Sequence, residues 1–228
     1  MKRRRIIPGL VAVLALAACG SVAQAQITTF TSEAAFLAAL APGYYTNSFT
    51  GLNGGSDGSL SSPQMFASAP FTYDVAAASG SLYTFQSTSP KQLTTNNANT
   101  AMTITMTSGN VTAVGAYFYI TTSGPPPVFQ TQLVSLTLNY VGGSQGNSFT
   151  PTSIGTSFFG YISNGPKINS LTMNAPGSNF NSMSTLTVGI NAATVPEPST
   201  FILGGVLVGG GLVGWRVRKA KTRKTTVA

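Results

Sequence analysis

Met102-Thr103-Ile104-Thr105-Met106 and Val134-Ser135-Leu136-Thr137-Leu138-Asn139-Tyr140 alternate apolar with hydroxyl or amide side chains, and Leu186, Val188 and Ile190 repeat the rhythm. Successive side chains of a strand point to opposite faces, so this pattern predicts half-buried strands, apolar inward and threonine outward. Six further segments read the same way: Tyr45–Phe49, Phe71–Val75, Ser81–Gln86, Val111–Thr121, Ser157–Ile162 and Ile168–Met173. Gly, Asn, Ser and Pro clusters separate them, and Gly124-Pro125-Pro126-Pro127 forms a stiff connector. Roughly nine or ten short strands without interleaved helices predict an all-β fold, an antiparallel β-sandwich of jelly-roll type.

One helix precedes them. Thr31-Ser32-Glu33 supplies a capping hydroxyl and an acid for the positive helix end, and Pro42-Gly43 terminates the helix. Phe36, Leu37 and Leu40 fall on one face, which predicts a short N-terminal helix packed on the sandwich.

The two ends of the chain have a different character. Lys2-Arg3-Arg4-Arg5 followed by apolar Ile6 to Ala18 has the charged and hydrophobic regions of a secretory signal peptide. Ala23-Gln24-Ala25 is a small-x-small cleavage pattern, so residues 1–25 are expected to be removed and Gln26 to begin the mature chain. Leu16-Ala17-Ala18-Cys19 competes with it as a lipobox, in which Cys19 would be the acylated N-terminus. Residues 26–194 are then the exported domain, and residues 195–224 a separate terminal signal.

In that signal, Pro196 and Pro198 flank Glu197; neither proline donates a backbone hydrogen bond, and both favour an extended peptide. Phe201 to Val217 is apolar and glycine-laden, and it would span about 25 Å as a helix, against about 30 Å of bilayer core. Trp215 suits the membrane interface, and Arg216 with the basic residues through Lys224 fixes that end in the cytoplasm. Gly205 and Gly209 have the four-residue spacing that lets membrane helices approach closely.

Together, Pro196-Glu197-Pro198, the Gly-rich helix over 201–217 and the basic tail over 216–224 closely resemble the PEP-CTERM sorting signal. The resemblance implies recognition by an exosortase in the inner membrane, with Pro196, Glu197 and Pro198 as sorting motif and the helix as a transient anchor. The same tail type also bears the label of an ice-binding protein C-terminal domain, which describes the tail and does not establish ice binding. More loosely, Ile27-Thr28-Thr29-Phe30-Thr31-Ser32-Glu33-Ala34-Ala35-Phe36 and Phe158-Phe159-Gly160-Tyr161 resemble ectodomains of other PEP-CTERM proteins.

The formal charge of +8 belongs to the ends. Between Arg5 and Arg216 only Lys91 and Lys167 oppose Glu33, Asp57, Asp74 and Glu197, a net charge of −2. No basic patch marks a nucleic-acid partner. Absence of histidine rules out a Ser-His-Asp triad and His-ligated zinc, and Cys19 is the sole thiol, so the exported domain has no disulfide. No metal, cofactor or catalytic residue is expected. Three weaker readings stand beside this: an Asp57/Asp74 carboxylate pair for glycoside hydrolysis, a calcium turn over Asn53–Ser59, and a Thr103-Thr105-Thr107 row facing ice or sugar. Tyr83, Tyr117, Tyr119 and Tyr161 are candidates for stacking on sugar rings, with half of them expected instead to be core residues with a satisfied hydroxyl. The sequence thus predicts an exported, non-catalytic protein of the cell surface or extracellular polysaccharide matrix. A carbohydrate-binding module is the alternative, and a polysaccharide hydrolase is the third reading.

Overall fold

The computed structural model describes residues 26–122 and 127–194. Cys19, Ala23 and Ala25, which the sequence reads as belonging to a signal peptide, most of the proline connector, and every residue of the terminal signal lie outside them. Among the described residues no helix is long and apolar enough to cross a membrane.

All nine predicted strands are present, joined by six that lack an alternating signal. Sheet one contains β1 (Gln26–Phe30), β2 (Tyr45–Asn47), β3 (Gly58–Leu60), β6 (Leu82–Phe85), β7 (Gln92–Thr95), β9 (Ala113–Thr121), β10 (Phe129–Gln130), β13 (Phe158–Asn164) and β15 (Phe180–Gly189). Sheet two contains β4 (Gln64–Ser68), β5 (Phe71–Ala77), β8 (Met102–Met106), β11 (Val134–Tyr140), β12 (Gly143–Phe149) and β14 (Ile168–Asn174). The helix α1 spans Glu33–Ala38, with Ser32 as its N-cap accepting from the Ala35 amide. It is shorter than expected, because Leu40 leaves it to bridge Asn191 in extended pairing.

The order of pairing is that of a jelly roll. β7 pairs β15, β8 pairs β14, β9 pairs β13 and β11 pairs β12, all antiparallel. Eight strands therefore form one long doubled ribbon that wraps between the sheets, giving β7-β15-β9-β13 in one and β8-β14-β11-β12 in the other. The remaining strands widen this frame at its edges. A residue is gained within β15: its register against β9 shifts between Ser184 and Thr187, a bulge that keeps Met183, Leu186 and Val188 all pointing inward.

The main core lies between the sheets. Val114, Phe118 and Ile120 of β9 face Tyr73, Val75, Ile104, Leu136, Leu138 and Leu171 of sheet two, all essentially inaccessible to solvent. Sheet one is also covered on its other face. There Phe36 and Leu40 pack with Ala113, Phe158 and Ile162 as a second apolar cluster. The Phe36 ring lies 5.8 Å from that of Phe30 and 5.3 Å from that of Phe158. Ile27–Phe36 and Phe158–Tyr161, distant in sequence, are thus neighbours: β1 pairs β13 with Phe30 opposite Gly160.

Gly160 sits directly opposite Gly115. A Cβ on Gly160 would lie 2.8 Å from Phe36 Cδ2, and one on Gly115 would lie 2.6 Å from Phe158 Cζ. The paired glycines form the flat bed on which these rings seat. Gly160→Ala is therefore expected to destabilise the domain by about 1–3 kcal/mol through overpacking, read as a lower urea midpoint at unchanged m-value. Gly146→Ala, with open space around its Cβ position in edge strand β12, should shift the midpoint far less.

Candidate functional site

Beside α1, the outer face of sheet one leaves a recess of about 370 Å³ lined by Glu33, Ser89, Pro90, Tyr117, Gly155, Ser184 and Thr185. Each part has a local reason for its place. α1 carries Glu33 in its first turn. β9 projects Tyr117 outward, between Ala116 and Phe118, which face the main core. The loop after β6 brings Ser89 and Pro90. The loop before β13 brings Gly155, and Ser157 fastens that loop: its Oγ accepts from the Thr152 amide at 2.9 Å and donates to the Ser153 carbonyl at 3.1 Å. The bulge in β15 delivers Ser184 and Thr185.

The Tyr117 hydroxyl donates to Glu33 Oε2 at 2.6 Å, and the Tyr117 ring stands edge-on to Phe158 at 5.5 Å. Burial, then the hydrogen bond to Glu33 and its charge, push the Tyr117 phenol up to about 12. Thr185 has φ +50°, a left-handed conformation that is a genuine outlier for a β-branched residue and costs about 1–3 kcal/mol. Next to it, Ser184 Oγ is buried without a hydrogen bond of normal geometry, and so is the hydroxyl of Tyr119. The two are close enough for Ser184 to favour the ionised Tyr119 phenol slightly, against a burial that dominates and raises it. Tyr119 and Ser182 are opposite each other, and Ser184 is opposite Tyr117, so all four side chains share this face.

Sequence reasoning singled out Glu33 and Tyr117 separately and missed Ser89, Pro90, Gly155, Ser184 and Thr185. One signal was available for the last two. Met183 and Leu186 both point inward yet are three residues apart, which breaks the period of two where the bulge occurs.

Two of the four tyrosines are core residues, as half were expected to be, but their hydroxyls make no hydrogen bond of normal geometry. Tyr119 and Tyr161 are fully buried, Tyr161 within the main core, so neither offers a ring to a sugar. Both lie on central strands, where ring burial outweighs the cost of an unsatisfied hydroxyl. Tyr83 and Tyr117 keep partial exposure, Tyr83 with its ring 4.8 Å from Phe85.

The three carboxylates of the described domain are dispersed. Asp57 Oδ1 accepts from the Gln86 and Ser87 amides at 2.5 and 2.8 Å, and Oδ2 from Ser87 Oγ at 2.6 Å. The Ser87 hydroxyl foremost, then the two amides against a small desolvation, holds the Asp57 carboxyl below its ordinary range. Both oxygens are thus engaged in tying the Asn53–Ser59 turn to the end of β6. Asp74 lies on the other sheet, opposite Thr105 and Met65. No group of three or more metal-ligating His, Cys, Asp or Glu side chains occurs among the described residues.

Sheet two presents a second surface. The single threonine row read from the sequence belongs to a wider array. Thr103 is opposite Thr172, which is opposite Thr137; Thr105 is opposite Ser170, then Asn139, then Ser144; and Asn174 is opposite Ser135, then Ser148. Neighbours link across strands, as Thr103–Thr172 at 3.1 Å and Asn139–Ser170 at 3.1 Å. With Asp74 the only charge in these rows, the face is a nearly neutral grid of hydroxyls and amides at strand spacings of about 4.8 Å.

Fold and terminal signal together define an exported β-sandwich protein with a membrane step. Residues 194–219, which hold Pro196, Glu197, Pro198 and Phe201 to Arg216, match the family model of the PEP-CTERM protein-sorting motif, so the chain contains a PEP-CTERM sorting domain, which implies a membrane step and processing by an exosortase. No curated protein matches the chain. Among solved structures, TmCBM61 in complex with beta-1,4-galactotriose is similar over 54% of this chain and 90% of its own, at 7% identity and a TM-score of 0.32. A ligand site does not transfer at such values.

The strain and the buried phenols of this geometry have measurable consequences. Thr185→Gly removes the left-handed strain, so the domain should gain about 1 kcal/mol, a rise of about 2–4 °C in Tm by calorimetry. Stability should also be flat from about pH 5 to 9, since no histidine titrates there. Burial raises the phenols of Tyr73, Tyr117, Tyr119 and Tyr161 above their unfolded value of 10.0. Between that value and the folded one the native state binds more protons than the unfolded state, so stability falls as pH rises through this window. Urea midpoints at pH 7, 9, 10.5 and 11.5 check the sign.

Proposed function

We propose that this chain is an exosortase-processed component of the cell surface or extracellular matrix, with a non-catalytic jelly-roll domain. The match of the sorting motif at residues 194–219 carries the reading, because it begins as the sandwich ends. On this view residues 1–25 are removed after Ala25, Phe201 to Val217 hold the protein in the inner membrane, and processing occurs at or near Pro196-Glu197-Pro198. The dispersal of Glu33, Asp57 and Asp74 supports a non-catalytic domain. A glycoside hydrolase needs two carboxylates about 5–10 Å apart across one bond, whereas Asp57 is engaged on sheet one and Asp74 faces outward from sheet two.

Glu197→Gln or deletion of Pro198 is expected to trap the full-length, membrane-bound form, detected by immunoblot of membrane and extracellular fractions. A cleaved product that persists unchanged would sink the sorting assignment.

The hydroxyl and amide grid of sheet two favours a second reading, in which the domain adheres to neutral polysaccharide. Many weak hydrogen bonds on a flat face suit a repetitive, uncharged polymer better than a compact ligand. Introducing charge there, as Thr103→Glu with Thr172→Glu, should release the processed protein from the extracellular matrix into the medium without lowering its Tm by more than a few degrees.

A further inference from the structure

The recess beside α1 gathers polar groups with unused hydrogen-bonding capacity. Glu33 has one side-chain partner, Tyr117, and makes no ion pair among the described residues. A carboxylate offers about four acceptor sites, so most of its capacity remains unused. At the floor, Ser184 Oγ is buried and makes no hydrogen bond of normal geometry; its neighbour, the buried Tyr119 hydroxyl, lies outside the lining and offers it only a weak contact. Leaving such a hydroxyl poorly satisfied costs up to about 1–3 kcal/mol, and Thr185 adds backbone strain at the same spot. A poorly satisfied hydroxyl, a strained backbone and a carboxylate with spare acceptor sites thus converge on one concave surface, where unmet polar groups suit a ligand.

The chemistry of the lining narrows the ligand. Glu33 accepts only, Ser184, Ser89 and Thr185 both donate and accept, and no basic side chain lines the recess. An anion would face Glu33 without compensation. A ligand rich in hydroxyls satisfies both kinds of partner: adjacent hydroxyls donate to the two carboxylate oxygens, and a third reaches Ser184. The Pro90 ring and the Tyr117 ring edge provide apolar walls for the C–H faces of a pyranose. A volume of about 370 Å³ lies at the small end of ligand sites, which suits one sugar ring and not an extended chain.

We infer that this recess binds a single neutral hexose unit, with vicinal hydroxyls on Glu33 and a further hydroxyl on Ser184. The assignment rests on the matrix reading only for where such a sugar comes from, the ends or branches of a polysaccharide. It concerns a different surface from the flat grid of sheet two.

The test uses the full chain in detergent and its processed, exported form, titrated by saturation-transfer NMR with methyl β-D-glucopyranoside, methyl β-D-galactopyranoside and methyl α-D-mannopyranoside. Methyl β-D-glucuronide and glucosamine serve as the anionic and cationic arms. At least one neutral glycoside should bind saturably, and Glu33→Gln should weaken it by about tenfold or more. Ser184→Ala is the sharper variant. Removing an unsatisfied buried hydroxyl leaves stability equal or higher, so a several-fold loss of binding at an unchanged or raised Tm reflects the site and not the fold.

The inference is overturned if no neutral glycoside binds, or if binding is untouched by both variants. It is overturned equally if the glucuronide or the glucosamine binds more tightly than every neutral glycoside. Failure here alongside normal dependence of processing on Glu197 and Pro198 would remove the sugar site and leave the sorting reading intact. Binding with no such dependence would do the reverse.

Discussion

Burial of both faces of sheet one is the constraint on which this domain depends. With no cysteine after Cys19 and few charges in residues 26–194, neither disulfides nor ion-pair networks contribute, and packing must. β9, β13 and β15 are accordingly buried along nearly their whole length, unlike the alternating strands of sheet two. The inner face packs on sheet two. The outer face needs a separate cover, which α1 supplies through Phe36 seated over Gly160, beside Phe158 seated over Gly115.

That cover is partial, and its edge is where chemistry collects. Where α1 ends, the outer face changes from Phe158 and Ile162 to Tyr117, Tyr119, Ser182 and Ser184. Ser182 is satisfied by Thr121 and Thr94 at 2.9 and 3.0 Å. Ser184, next to the bulge at Thr185, has only the buried Tyr119 hydroxyl nearby and makes no hydrogen bond of normal geometry. The same local device preserves the core on one side and opens the recess on the other.

The two sheets therefore present opposite kinds of outer surface. Sheet two needs no cover, since the outward residues of β8, β11 and β14 are threonine, serine and asparagine, several of which tie to one another across strands. It offers a flat, repetitive face. Sheet one, covered by aromatic side chains and loops, offers one concave spot with a carboxylate. An exported protein with a C-terminal sorting motif thus has an extended polar face and a small recess on opposite sides of one core.

The sequence by itself determined the fold class, the position of α1 and the address. Period-two alternation in Met102–Met106 and Val134–Tyr140 is a one-dimensional signature of a half-wet strand, and the Pro-Glu-Pro, apolar and basic parts of the tail are contiguous. Strands such as Gln92–Thr95 and Gly143–Phe149 were not legible, because both-sided burial and edge pairing with β11 hold them, not their own pattern. Tertiary structure alone decided that Tyr119 and Tyr161 are core residues, that Asp57 is consumed by the Gln86–Ser87 backbone, and that isolated threonines align into rows. It also joined Glu33, Tyr117 and Ser184, which stand 84 and 67 residues apart along the chain. Register across a doubled ribbon brings them together, and register arises from which faces are buried, a property no single segment contains.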